Sequence, residues 1–486
     1  MPEPLTQKEV LAKLARGGSF YGKEVGDVSF REYCFKKEVN FSNAVFIGRA
    51  DFFDAQFLNG ARFDNTEFSG TEGANFNGAR FSGKKGANFD MAQFTGEGKA
   101  DFMLAEFSGE EGADFMNSKF TCKGGADFNE SQFSGKGPVD FQCTEFSSRV
   151  TFEAAQFLNE KGVYFFEAKF SGKGRVDFSW TRFSTKEGVD FTRAEFSSDL
   201  GVDFRSAKFL GPGKFNFEAT KFKENQPIFF DKIETDFPEN LQFIDVSNLG
   251  SALFLYVELE KVSFKNVRFR LTKNKLSNRE YLADEKRNEI VIEEVYSDYE
   301  IIANNLDYFN QVEILYRKLK LNFETQLDFH RAGDFHYGEM EMRRKAKMLE
   351  WEDKPVSKYL PFLKYLNLTQ CYKIVSGYGE KWVQALASFV AVWLVFTGLN
   401  LFWVEPKAAM PQEQPSRIEQ WEKDSIHRLG GSALFSFKVL TLQRWGDEFQ
   451  LTGTSYFPRF FVTLQHLIGP TIIALMLLAI RRQFRR

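Results

Sequence analysis

The chain has little of what most protein chemistry needs. Its 486 residues include four cysteines and four histidines. Cys34, Cys122, Cys143 and Cys371 are far apart and form no CxxC pair, which argues against a disulfide framework or a zinc site. They read as free thiols of a reducing, cytosolic compartment. No nucleophile–base pair, phosphate-cradling glycine loop or metal cluster stands out, so neither an enzyme nor a bound cofactor is expected. A net charge of −3 gives no reason to expect nucleic acid as a partner. The N-terminus is charged and lacks the apolar core of a secretory signal. Charge itself is missing from two stretches. Val383–Val404 holds no Asp, Glu, Lys or Arg in 22 positions, and Phe460–Ile480 holds none in 21. Each matches the roughly 20 residues with which a helix crosses a bilayer.

What the chain has in excess is phenylalanine, 58 residues against 15 Tyr and 7 Trp. The Phe residues fall in pairs five apart, first with a step of six from one pair to the next (Phe41/Phe46, Phe52/Phe57, Phe63/Phe68). From Phe76/Phe81 the gap is eight, and after one return to six it stays eight from Phe152/Phe157 through Phe217/Phe222. A small residue, such as Ala74, Ala79, Ala87 or Ser118, stands two positions before most of them. A period of five fits neither a 3.6-residue helix nor a two-residue strand. It fits a square solenoid in which each side turns one large and one small side chain inward.

The triplets Ala74-Asn75-Phe76, Ala100-Asp101-Phe102 and Ala126-Asp127-Phe128 resemble the motif of the pentapeptide-repeat family, which implies a right-handed quadrilateral β-helix. The three extra residues per unit, as in Gly109-Glu-Glu-Gly112, are expected to bulge at corners and leave the Phe ladder intact. Two units of 13 then make one coil. At about 4.8 Å per coil the rod reaches some 40–50 Å, and Val262-Ser-Phe264 and Val267-Arg-Phe269 carry it to about residue 272. Some members of the family mimic DNA through a strongly acidic surface. Here Glu72–Phe222 has 22 acidic and 19 basic residues, so a solvated scaffold or sensor arm is expected instead. Upstream, Thr6-Gln-Lys-Glu9 reads as a capping box and Gly17-Gly18 as a stop, giving a helix over 6–16 within a capping segment 1–19.

Residues 273–380 read as a helical linker. Val312, Leu315, Leu319 and Phe323 share one helix face, and a second helix is expected over 329–349. The stretch resembles the helical segment that joins pentapeptide repeats to a membrane pore in bacterial channel-like proteins. His330, His336, Asp334, Glu339 and Glu341 offer only one closely spaced pair on a face, His336 and Glu339, which favours packed helices over a metal site. Ser376-Gly-Tyr-Gly379 looks like a filter string but precedes the first apolar run, so it is read as a turn at the membrane surface.

Residues 381–486 carry the two apolar runs, with spans at about 383–404 and 460–480, and between them Ser432–Glu448. This layout resembles the two-transmembrane ion-channel family, a tetramer of outer helix, re-entrant pore helix with filter, and inner helix. The resemblance places pore helix and filter at about 432–448, with Thr441, Leu442, Gln443, Arg444, Trp445, Gly446, Asp447 and Glu448 at the filter. Along the inner helix Thr463, His466 or Leu467, Pro470 or Thr471, Ala474 and Leu478 recur at helical spacing as lining candidates, and Gly469-Pro470 is a natural kink, either a hinge or a packing feature. Arg444 and Trp445 stand where a potassium filter has Gly and Tyr. Arg in a left-handed conformation would cost about 1–2 kcal/mol, so a carbonyl filter for potassium is not expected. Arg444 either rings the pore and favours anions, or turns away to pair with Asp447 or Glu448 and leaves a cation pathway. Arg481, Arg482, Arg485 and Arg486 follow the second run, whereas the loop 405–459 has seven cations and seven anions; positive-inside logic puts both termini in the cytoplasm of a bacterial inner-membrane protein. The expected partners are lipid, other copies of the chain and permeating ions, with any ligand of the repeat rod unnamed. The competing class is a membrane-tethered, non-conducting scaffold.

Overall fold

Five-residue spacing builds a coil with four sides. The computed structural model describes residues 3–271, 279–289, 306–352, 354–355, 359, 367–406, 417–446, 448–451 and 456–485. The chain forms two compact units, Met1–Thr325 and Gln326–Arg486, which divide inside the stretch marked from sequence as helical linker.

The first unit is a parallel β-solenoid. Four ladders of nine or ten short strands run along it, each strand pairing with the one four places on until the last coil, where the step shortens. Register is strict: Ala74 and Asn75 pair with Ala100 and Asp101, and Phe81 pairs with Phe107. Ten strands make nine steps, so at about 4.8 Å per step the longest ladder spans roughly 43 Å. Phe rings stack coil upon coil, as in Phe52–Phe76 at 4.8 Å and Phe76–Phe102 at 4.9 Å. Neighbouring columns meet edge to face, as in Phe102–Phe115 at 5.5 Å and 90°. Both are favoured ring geometries.

The motif explains itself at the corners. The small residue packs inward, the Phe fills the core, and the Asp or Asn caps the turn. Asp101 Oδ1 accepts the Met103 N–H (3.2 Å), and Asn88 Oδ1 accepts that of Asp90 (2.9 Å). These are Asx-turns. The corner closes with Ala105 N–H donating to Phe102 O (3.1 Å), and Leu104 between them is left-handed at φ +58°. The other two corners take the extra residues, which leave the ladder in place. Their glycines lie against the next coil: a Cβ on Gly96 would sit 2.1 Å from Gly70 O, and one on Gly135 2.1 Å from Gly109 O.

Both ends of the rod are covered, which keeps open ladder edges from templating other chains. Helix α1 (Gln7–Ala15) opens with the Thr6–Glu9 capping box, and Gln7 Nε2 donates to Ser29 O at 2.7 Å on the first coil. At the far end the parallel ladders stop at Lys265, and Arg270–Leu271 pairs antiparallel with Glu280–Tyr281. The Asp284 carboxylate accepts the Phe254 N–H of the last coil. Helix α2 (Leu306–Thr325) buries Val312, Leu315, Leu319 and Phe323, the face its spacing marks. Its Asn322 Nδ2 donates to Leu259 O and Val262 O, both at 2.7 Å.

The second unit is helical: α3 (Phe329–Glu352), α4 (Leu368–Ser376), α5 (Trp382–Asn400), α6 (Arg417–Leu440) and α7 (Tyr456–Arg485). Trp382–Asn400 and Tyr456–Arg482 are each long and apolar enough to cross a membrane. A short antiparallel pair, Val404–Pro406 with Phe449–Leu451, ties the end of α5 to the segment before α7.

Candidate functional site

The stretch marked from sequence as pore helix and filter is part of a longer element. Helix α6 starts at Arg417, not Ser432, because residues 417–429 contain no proline or glycine to stop it. It ends at Leu440 in a Schellman arrangement: Gln443 N–H donates to Lys438 O (2.7 Å) and Leu442 N–H to Val439 O (3.2 Å). Leu442, at φ +58°, holds the left-handed position where glycine is usual. Among the described residues of 441–448 it alone has positive φ, so the left-handed strain sits at Leu442 rather than at Arg444.

Behind this turn is a small apolar core of Val404, Phe435, Val439, Phe449 and Val462, with Trp445 and Leu451 packed on it. The Trp445 ring meets Phe435 edge-on at 5.0 Å, which makes Trp445 an anchor of the segment. Thr441 Oγ1 donates to Phe437 O at 2.8 Å, and Glu448 is engaged by Lys438. Gln443, Arg444 and Gly446 are exposed. Asp447 lies outside the described residues.

Helix α7 has two distinct faces. Val462, Gln465, Gly469, Ile472 and Ala479 are buried, while Phe460, Thr463, Leu467, Thr471, Ala474 and Leu477 form an exposed stripe at three- and four-residue spacing. Where the sequence leaves alternatives, the stripe takes Leu467 and Thr471, whereas His466, Pro470 and Leu478 are half-buried beside it. Gly469 is packed tightly, since a Cβ there would lie 2.2 Å from Leu440 O. Thr463 and Thr471 return their hydroxyls to Arg459 O and Leu467 O.

Three buried polar side chains join the helices at this level. Asn400 Nδ2 donates to Ser436 Oγ (2.9 Å) and Gln465 Oε1 (3.3 Å), and Gln465 Nε2 donates to Ser436 O (2.8 Å). Trp393 Nε1 adds a bond to Ala433 O at 2.9 Å. Gln465, a polar residue inside the uncharged run 460–480, is visible in the sequence. Asn400 and Ser436 are not, although a lone Asn in an apolar run is itself a signal.

A second network surrounds Ser376-Gly-Tyr-Gly379, which is a tight elbow between α4 and α5. Gly377, Tyr378 and Gly379 are successive left-handed residues at φ +53°, +62° and +74°. Tyr378 is fully buried, and its hydroxyl donates to Glu341 Oε2 of α3 at 3.0 Å. Arg482 Nη1, near the end of α7, donates to Tyr378 O (3.2 Å) and Glu380 Oε1 (2.7 Å). Glu341 also takes Arg344 (2.6 Å) and Lys373 (3.0 Å). Burial alone would raise the Glu341 carboxyl pKa, but these two cations outweigh it and hold it at about 2. Burial, reinforced by the Glu341 charge, pushes the Tyr378 phenol well above its ordinary value. On the same helix His336 Nδ1 lies 3.6 Å from Glu339 Oε2, and Glu339 takes Arg343 at 3.0 Å.

No family model, no curated protein and no solved structure matches the chain.

Proposed function

We propose that the chain is the subunit of a bacterial inner-membrane ion channel. Four copies surround one axis, α5 and α7 cross the bilayer, the end of α6 with residues 441–448 re-enters it, and a right-handed solenoid stands in the cytoplasm with both termini. The observation that carries this is the exposed stripe Thr463–Leu467–Thr471–Ala474. On a helix apolar enough to span, it sets two threonines and an alanine beside Leu467, within a face that also exposes Phe460 and Leu477 and that the other described helices leave uncovered. Segment 441–448 has a rigid back, Trp445 on Phe435, and presents Gln443 and Arg444 outward. With one left-handed residue in the described part, it lacks the alternation a four-site carbonyl filter needs. A weakly cation-selective, non-potassium-selective pathway is therefore our reading.

A second reading, an anion-selective pore with an Arg444 ring, draws on the exposure of Arg444. Recording from purified protein in planar bilayers under asymmetric KCl separates them. Reversal on the cation side supports the first and reversal at the chloride potential the second. Absence of current together with a monomeric mass in detergent refutes both and leaves a membrane-tethered scaffold. Arg444→Glu is expected to move the reversal potential at least several millivolts toward potassium, on the order of what one ring of charge contributes; an unmoved potential excludes the segment from the pathway.

A further inference from the structure

Helix α4 carries an apolar face that none of the described residues covers. Leu368, Cys371 and Ile374 recur at three-residue spacing on one side, with Val375 between Leu368 and Cys371 in projection. Leu368 is 89% and Ile374 59% exposed, and Cys371 is exposed as well. The opposite side is polar and pinned inward, with Lys373 reaching Glu341 at 3.0 Å. Such a helix is amphipathic in the wrong sense for water.

Its position says what covers it. The C-terminal turn of α4 is bonded sideways to the first turns of α5. Gln384 Nε2 donates to Lys373 O (2.9 Å) and Ile374 O (2.7 Å), and Ser388 Oγ donates to Val375 O (3.1 Å). Ile374 therefore lies level with the start of the first apolar helix, whose own residues Val383, Leu386 and Val390 are exposed. Trp382, 39% exposed at the first position of α5, is the residue type that marks a headgroup boundary. The exposed Arg481 adjoins Arg482, which bonds Tyr378 O and Glu380 beside the start of α5, and complements anionic headgroups.

We infer that α4 is an interfacial helix that beds Leu368, Cys371 and Ile374 into the inner leaflet of an anionic phospholipid bilayer, at the boundary depth of about 5–10 Å usual for such helices. This rests on α5 and α7 crossing the membrane.

Cys371 supplies the test. In the full-length chain Cys34, Cys122 and Cys143 are changed to serine; Ser198 already makes, to Gly201 O, the corner bond that Cys122 makes to Gly125 O, so the fold accepts it. An environment-sensitive fluorophore is placed on Cys371, and in a parallel Cys371→Ser version on Val390→Cys. Both are reconstituted in phosphatidylethanolamine–phosphatidylglycerol vesicles. The expected result is blue-shifted emission from position 371, quenched by lipids labelled near the headgroup and protected from aqueous iodide, with position 390 quenched by deeper labels. Adding Leu368→Glu and Ile374→Glu is expected to return the 371 probe to water while leaving the 390 probe in lipid. Iodide quenching at 371 with 390 still in lipid overturns the inference alone. Iodide quenching at both overturns the membrane reading and the inference with it.

Discussion

Asp114→Asn is expected to stabilise the solenoid at neutral pH and to do nothing in acid. Asp114 follows Ala113 at a corner, and its Oδ1 accepts the Met116 N–H at 2.9 Å. Burial raises its carboxyl pKa. The Met116 bond opposes that, but Asp140, Asp90 and Asp64 along the same side add to it, and the result is about 6 against an ordinary 3.8. A folded-state pKa above the unfolded one means that the native state binds more protons between these values. Its stabilising contribution is complete below about 4 and is lost as pH rises through about 6. A shift of about 2 units corresponds to an upper limit near 3 kcal/mol, and partial exposure of Asp114 to solvent reduces this to about 1–2 kcal/mol. Asparagine keeps the oxygen that caps the turn, as Asn88 does at the equivalent corner, and removes the charge. Cys122, 2% exposed in the same coil, reports opening by its labelling rate when the other three cysteines are serine. At pH 7.5 the variant should label about 5–30-fold more slowly than its parent, and with an acid-active disulfide reagent at pH 4 the two should coincide. Comparing them at one pH cancels the intrinsic reactivity of the thiol. Equal rates at pH 7.5, or a difference that persists unchanged at pH 4, would refute the reasoning.

Gly96→Ala is expected to cost about 1–3 kcal/mol, because its Cβ would meet Gly70 O, which the Gly73 N–H holds in the turn of the preceding coil, at 2.1 Å; Cys122 labelling faster by a factor of about five or more is the readout, and an unchanged rate shows that the corner can yield. Glu341→Gln is expected to lower the unfolding free energy of the detergent-solubilised chain by about 3 kcal/mol, since it strips Arg344 and Lys373 of their shared buried anion. The Glu341 pKa is depressed, so its contribution is present above the ordinary carboxylate value of 4.5 and fades as pH falls towards about 2; a wild-type-minus-variant difference that fails to shrink on acidification speaks against the ion cluster. Gln465→Leu removes a partner of both Asn400 and Ser436 and should cost about 0.6–1.7 kcal/mol in detergent titration, the range found for hydrogen bonds between membrane helices; no loss would mean that the clasp is already hydrated.

The solenoid was legible because its determinants are local. Each Phe, its preceding small residue and the Asp or Asn between them are three neighbours in sequence and in space, and one period repeats them along the rod. Phe52 stacks on Phe76 because both occupy the same step of consecutive coils, which the spacing alone states. The helical unit hides its determinants in pairs far apart in sequence: Tyr378 with Glu341, Arg482 with Glu380, and Asn400 with Gln465. Apolar length marks α5 and α7, but no periodicity announces that Tyr378 is buried left-handed between two glycines. Arg444 shows the same limit. Matching it to a filter string places the strained residue there, whereas the end of α6 is set by the two bonds that close on Lys438 and Val439, and these put the left-handed turn at Leu442.

Gly469 and Pro470 acquire a more specific meaning from that turn. Proline at 470 removes the N–H that would bond His466 O, which weakens α7 at one point. A free hinge needs space on both sides of such a point, and Gly469 has none, because its α-carbon presses on Leu440 O at the last turn of α6. Two residues beyond Leu440 is Leu442, which spends about 1–2 kcal/mol on its left-handed conformation, and three further is Trp445, held by Phe435. A bend of α7 at Pro470 that carried Gly469 toward α6 would meet Leu440 O, so the space for bending lies on the C-terminal side of Gly469, where residues 471–485 can swing while Gly469 stays seated on the last turn of α6. The weak point of the second apolar helix is thus held on one side by the same turn that leads into Leu442, and a bend there is a pivot about Gly469 rather than a free hinge.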